Sequence, residues 1–170
     1  MKSLIKTLLR ENLNEIQQSK LTVDYFKKRI PFLKNPWHEV DYDGGVQIFT
    51  DQVNHPEAKI LDSDKNIITF KKFTVGVNFE YTRGKVSGND NVLHNFKMKP
   101  IIQFELNSDD ELFKTVFQRV MFMQLDKIGV NDSIELPKGA EIPDTELDRI
   151  VNEMNKTFFV FEEFLSNYGI

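Results

Sequence analysis

The sequence contains no cysteine. That excludes disulfides, thiolate metal sites and a cysteine nucleophile, and it fits a reducing compartment. No apolar run approaches the roughly 20 residues that cross a bilayer, so no membrane span is expected. The opening Met1-Lys2-Ser3-Leu4-Ile5-Lys6 interleaves its charges too closely for a signal peptide, and no small-residue cleavage site follows. Catalytic motifs are also missing. There is no phosphate-cradling glycine loop and no Gly-x-Ser-x-Gly elbow. The three histidines, His38, His55 and His94, are far apart in the chain. The expectation is a non-enzymatic protein with no cofactor and no metal, located in the cytoplasm.

What is present is globular in character. The chain has 170 residues, of which 40% are hydrophobic and 28% charged, in the range of one folded domain. Fifteen phenylalanines supply large apolar surfaces for a core. The net charge of −4 conceals an asymmetry. Residues 1–34 carry eight bases and three acids, a balance of +5, and residues 140–170 carry two bases and seven acids, a balance of −5. Such opposition is satisfied within the chain, between subunits or by an anionic partner.

Apolar spacing gives the elements. Leu4, Ile5, Leu8, Leu9, Leu13 and Ile16 predict an amphipathic helix over about residues 3–18. Thr22 caps a short second helix that stops before Pro31. Residues 34–45 are turn-rich and mark the passage from helices to sheet. Val46–Thr50 reads as a strand, and Ala58–Leu61 and Ile67–Val75 as a hairpin around residues 62–66. Val77, Phe79 and Tyr81 alternate with polar residues as a half-buried strand does. After a turn at residues 87–91 the chain returns through Val92–Leu106 as one or two strands, with Pro100 marking an edge or a bulge.

Ser108-Asp109-Asp110-Glu111 is a capping box for a helix carrying Leu112, Phe113, Val116, Phe117, Val120, Met121 and Ile128, which Gly129 closes. A loop through Pro137, Gly139 and Pro143 leads to a last helix capped by Asp144. Its buried stripe is Leu147, Ile150, Val151, Met154, Phe158, Phe161 and Leu165. The expected fold is α+β: N-terminal helices, a mainly antiparallel β-meander of about four to six strands, and two C-terminal helices on one face of the sheet. Residues 1–20 are assigned to the first helix and residues 21–170 to a single domain.

Three constellations bear on function. His38, Glu39, Asp41 and Asp43 are the densest set of potential ligands, and a small metal-dependent hydrolase would centre on His38, Asp41 and Asp43. The calcium-loop spacing fails, however. A loop begun at Asp41 puts Gln52 where the bidentate glutamate belongs, and one begun at Asp62 puts Phe73 there. The bland reading is a polar turn beside a Trp37 anchor. Lys71, Lys72, Arg83, Lys85 and Lys97, interleaved with Phe70, Phe73, Phe79, Tyr81 and Phe96, suggest a nucleic-acid-binding hairpin face. Against this, strand alternation sends many of those aromatics into the core. The apolar faces of the first and last helices, with Leu4, Ile5, Leu8, Leu9, Phe159 and Phe164, suggest contact with protein partners or self-association.

The segment Met1-Lys-Ser-Leu-Ile-Lys-Thr-Leu-Leu-Arg-Glu11 resembles the short N-terminal leaders of proteins carried into the proheads of large tailed bacteriophages. In that family the prohead protease cuts after a glutamate preceded two residues earlier by an aliphatic residue. Leu9 and Glu11 fit that rule. The resemblance covers eleven residues and implies a phage accessory or virion-associated protein, processed after Glu11 and acting through protein–protein binding. The alternative is a first helix that belongs to the mature fold.

Overall fold

The structure, a computed structural model, describes residues 5, 21–55 and 57–170. The helix expected over about residues 3–18 lies outside the described residues, as do Leu4, Leu8, Leu9 and Glu11. Ile5 alone is described there, helical and exposed.

The described chain is α+β. Helix α1 (Val23–Arg29) starts where the Thr22 hydroxyl accepts from the Tyr25 amide at 3.3 Å. This satisfies one of the donors that a helix N-terminus leaves open. The helix ends at Ile30, ahead of the 3-10 turn Pro31–Leu33. Strands β1 (Pro36–Tyr42), β2 (Gly45–Thr50), β3 (Val53–Asn54), β4 (Lys59–Leu61), β5 (Ile67–Lys85) and β6 (Asn91–Leu106) follow, then α2 (Glu111–Leu125), β7 (Val130–Pro137) and α3 (Asp144–Ser166). The strands form one antiparallel sheet in the order β1-β2-β5-β6-β7, with the short β3 and β4 paired to β5 farther along it.

Alternation divides the sheet into two faces. Val77, Phe79 and Tyr81 of β5 pair with Pro100, Met98 and Phe96 of β6, and these side chains point toward the helices. The interior forms two clusters. In one, α1 and the first half of α3 cover Phe79, Tyr81 and Phe96. In the other, α2 and the end of α3 cover Phe70, Phe73, Ile102 and Leu106. Phe32 and Phe158 pack against both. Each fully buried large side chain contributes about 1.5–3 kcal/mol relative to exposure, so the phenylalanines dominate the apolar gain.

Several boundaries differ from the sequence reading. The turn-rich stretch 34–45 contains β1, an edge strand whose mostly exposed residues hide the usual apolar alternation. Residues 92–106 form one strand, not two. Pro100 lies past the end of β7, which pairs with β6 only as far as Met98, so its missing N–H faces an edge without a strand. Gly129 does not close α2. The helix stops at Leu125, and Gly129 lets the backbone pass close to β6, since a Cβ there would sit 2.9 Å from the Met98 carbonyl. The loop expected after it begins with β7, whose inward positions are Val130, Asp132, Ile134 and Leu136. Asp132 breaks the apolar pattern. Asp144 is the first residue of α3 rather than its cap, and Pro143 occupies the N-cap position. Among the described residues, no helix is long and apolar enough to cross a membrane.

Candidate functional site

The residues grouped in sequence as metal ligands are separated in space. On β1, Glu39 and Asp41 pair with Ile48 and Val46, while His38 pairs with Phe49, which places His38 on the opposite side of the sheet from Asp41. Each side chain has its own engagement. Glu39 Oε2 accepts from Lys27 Nζ at 3.0 Å, and Asp41 Oδ1 accepts from the Val23 amide at 3.0 Å. His38 lies against Trp37 and Phe49, with ring centroids 5.8 Å away in both cases. Asp43 sits in the β1–β2 turn, 3.9 Å from Arg83. Among the described residues no group of three or more histidines and carboxylates is placed to hold a metal. The hydrolase centred on His38, Asp41 and Asp43 therefore has no geometry behind it.

The basic set is also divided. Lys71 pairs with Glu105 at 3.4 Å. Lys97 shares its face with Glu80, its partner across the ladder, whereas Arg83 and Lys85 lie on the helix-covered face beyond Tyr81. Lys72 and Lys85 are separated along β5 by about 40 Å at 3.3 Å per residue. Five cations read as one nucleic-acid-binding surface thus occupy three places. Arg83 and Lys85 are joined by Lys138, which the sequence reading missed because it follows the unrecognised β7. These three line a cavity of about 310 Å³ between the β1–β2 turn and the loop after β7.

His94 forms part of the cavity wall and is itself buried. Its Nδ1 shares a hydrogen bond with the Tyr81 hydroxyl at 3.0 Å. Burial, and secondarily the charge of Arg83, lower the imidazole to about 4, so the ring is neutral at pH 7. Burial likewise raises the Tyr81 phenol well above its ordinary value. Only the uncharged forms of both groups are present near neutrality.

The apolar surfaces expected to meet partners are sorted by the helices. Phe159 is 72% exposed and borders a groove with Phe32 and Phe158. Phe164, expected on the partner-facing surface, instead belongs to the core at 7% exposure, stacked near Phe161 and packed on Tyr168. Helix α2 holds the larger surprise. Its inner side puts Phe113, Phe117, Met121 and Leu125 against the cluster of Phe70, Phe73, Ile102 and Leu106. Its outer side presents Leu112 (75% exposed), Val116, Val120 and Met123 (59% exposed) along one stripe. Positions 112, 116, 120 and 123 fall on one face of a 3.6-residue helix. The sequence grouped Leu112, Val116 and Val120 with Phe113, Phe117 and Met121 at helical spacing, and an apolar pattern on two sides of a helix does not reveal which side is covered.

No known protein-family model matches this chain, and no curated protein or solved structure is detectably similar to it.

Proposed function

We propose that this chain is a non-enzymatic accessory protein that works by protein–protein binding, and that the outer face of α2 is where two copies meet. The supporting observation is the exposed stripe Leu112-Val116-Val120-Met123. Scattered exposed apolar residues are ordinary, but an ordered stripe along the full length of a helix is a surface suited to burial.

A second copy fits by charge. Asp109 stands just ahead of the stripe, Arg119 lies along it and Lys127 is in the turn that follows. An antiparallel pair with its twofold axis near Gln118 brings Val116 onto Val120 and sets Asp109 opposite Lys127, twice over. The helix is about 22 Å long at 1.5 Å per residue, so the buried area falls at the small end for stable interfaces. The dimer is therefore one that dissociates on dilution. Analytical ultracentrifugation over a concentration series tests this. Wild type should pass from monomer to dimer, and Val116→Asp should remain monomeric with an unchanged melting curve. A wild type that is monomeric throughout would refute the α2 pairing.

The setting proposed for this binding activity, a large tailed bacteriophage and its particle, rests on the leader-like segment Met1–Glu11. Intact-mass and N-terminal peptide spectrometry on purified particles tests it. A particle-bound form beginning at Asn12 supports a packaged, processed protein. Its absence from particles would end the virion assignment and leave the α2 pairing to be judged separately.

A further inference from the structure

We propose that Asp43 is a site of spontaneous backbone modification, converting to isoaspartate through a cyclic imide closed by the Gly44 amide, and that the change opens the β1–β2 hairpin. This proposal is independent of the α2 pairing.

Sequence and fold together single out this position. Of the eight glycines, Gly44 alone follows an aspartate, and none follows an asparagine. Glycine offers the least hindered amide nitrogen, because no Cβ shields it and its backbone turns freely. Asp43 and Gly44 make up the whole loop between Tyr42, the end of β1, and Gly45, the start of β2. The Asp43 side chain is 97% exposed. Its contact with Arg83, at 3.9 Å, is a surface pairing of the kind that holds a carboxylate weakly. Gly44 has a φ of +109°, and beyond its chain neighbours a Cβ there would come no closer than 3.8 Å to the Arg83 carbonyl oxygen. The outer side of the loop therefore has room for a ring to close. Two Asp-Ser pairs, the next least hindered, are better held. The Asp62 carboxylate accepts from the Asp64 and Asn66 amides at 3.0 and 2.8 Å. Asp132 is 27% exposed and gripped by Arg149 at 2.7 Å.

The reaction needs only water. The Gly44 nitrogen attacks the protonated side-chain carboxyl of Asp43. A nitrogen–carbon bond forms, and the carboxyl hydroxyl leaves as water with the amide proton. Carrying nucleophile and carbonyl on adjacent residues makes this step intramolecular. Water then adds to one of the two imide carbonyls. Addition at the side-chain carbonyl restores aspartate. Addition at the main-chain carbonyl breaks its bond to the Gly44 nitrogen, and the chain then runs through the former side chain. The water lost is regained, so isoaspartate has the mass of aspartate.

The surroundings make this lengthening disruptive. The Gly44 carbonyl accepts from the Arg83 amide at 2.7 Å, which ties the loop to β5. Gly45 is crowded by the Tyr81 carbonyl and the Tyr42 ring, so the added backbone carbon cannot be absorbed toward β2. The loop moves outward, and the Arg83 bond and the Tyr42–Gly45 pairing are lost with it. Asp41, two residues back, accepts from the Val23 amide at the start of α1, so the disturbance reaches that helix as well.

The test is to age the full folded chain near neutral pH and to map its peptides at intervals. The proposal expects the Asp43 peptide to split into two species of equal mass, the new one accepting a methyl group from an isoaspartyl methyltransferase. Asp43→Glu, which would need a larger ring, should lose the new species. Asp43→Asn should form the same imide faster by expelling ammonia, with a gain in mass on hydrolysis. Absence of isoaspartate at position 43 in the aged folded protein overturns the proposal, as does earlier conversion at Asp62 or Asp132. The aged fraction carrying isoaspartate should melt at a lower temperature and exchange its Arg83 amide faster than fresh protein, while aged Asp43→Glu does neither. A modified fraction with unchanged melting and unchanged Arg83 exchange overturns the opening of the hairpin.

Discussion

The Tyr81 hydroxyl and His94 Nδ1 lie 3.0 Å apart, with the two rings nearly parallel at 11°. The pair joins neighbouring strands inside the sheet and has a direct consequence for acid stability. The folded chain holds His94 neutral down to about 4, whereas an unfolded chain protonates its histidines near the ordinary 6.5. The unfolded state therefore binds the extra proton between these values. The stability linked to His94 is complete above pH 6.5 and is lost as pH falls toward 4. Urea midpoints measured at pH 7 and pH 5 should drop further for wild type than for His94→Gln. Equal drops would assign the acid sensitivity to other groups.

Phe26 anchors α1 to the sheet. It is fully buried, with Phe79, Tyr81 and Phe96 at 4.6, 5.8 and 6.5 Å between ring centroids. Phe26→Ala removes the main contact of a seven-residue helix that has little intrinsic stability. The expected loss is about 3–5 kcal/mol in denaturant unfolding. A loss below about 1 kcal/mol would show that α1 is not held by this ring, since cavities of this kind cost several times that.

Thr50 completes the ladder where β2 ends. Its hydroxyl accepts from the Val77 amide at 2.6 Å and lies 3.4 Å from the Val77 carbonyl, both within the interior. Thr50→Val keeps the shape and leaves a buried N–H without that acceptor. The expected cost is about 1–3 kcal/mol, with Thr50→Ser retaining most of the stability. Equal stability of the valine and serine variants would remove the role given to the hydroxyl.

Gly45 is required by crowding. A Cβ at this position would collide with the Tyr81 carbonyl and also meet the Tyr42 hydroxyl and ring. Gly45→Ala should cost about 1–3 kcal/mol through forced displacement of the first hairpin. Gly84→Ala, where nothing lies within 4 Å of the added carbon, is the control and should be close to neutral. Thermal melts of the two variants side by side decide the matter.

The elements with strong local chemistry were legible in the sequence. Thr22 caps α1 as expected, and residues 62–66 join β4 to β5, but the expected capping box is displaced: Asp110, not Ser108, is the N-cap of α2 and accepts from the Phe113 amide, and Glu111 is the first helical residue. Most of the buried stripe of α3 was readable because Leu147, Ile150, Val151, Met154, Phe161 and Leu165 recur on one side, whereas Phe159 and Val160 lie off it and are exposed. Strands β1 and β7 were not readable. Their stability comes from pairing with neighbours, and their outward or polar residues leave no clean period of two. The candidate sites were less legible still. Lys138 reaches Arg83 and Lys85 only through the return of β7 along β6. The outer stripe of α2 resembles a core stripe until the packing of Phe117 and Met121 shows which side is covered.

The β5–β6 ribbon pairs continuously from Lys85 and Val92 to Phe70 and Leu106, apart from one irregularity near Lys72, and so passes through both interior clusters. Its growth has a natural order. Starting from the tight turn at residues 87–90, each new pair closes only a slightly longer loop than the one before, so the ladder zips outward at small entropic cost. The cluster around Phe79, Tyr81 and Phe96 forms along the first part of that zipper, and the cluster around Phe70, Phe73 and Ile102 along the rest. Because one shared spine carries both, melting at either end exposes apolar surface that the other end needs. The amides around Val77 and Ile101, midway along the ribbon, should therefore be the last to exchange with solvent.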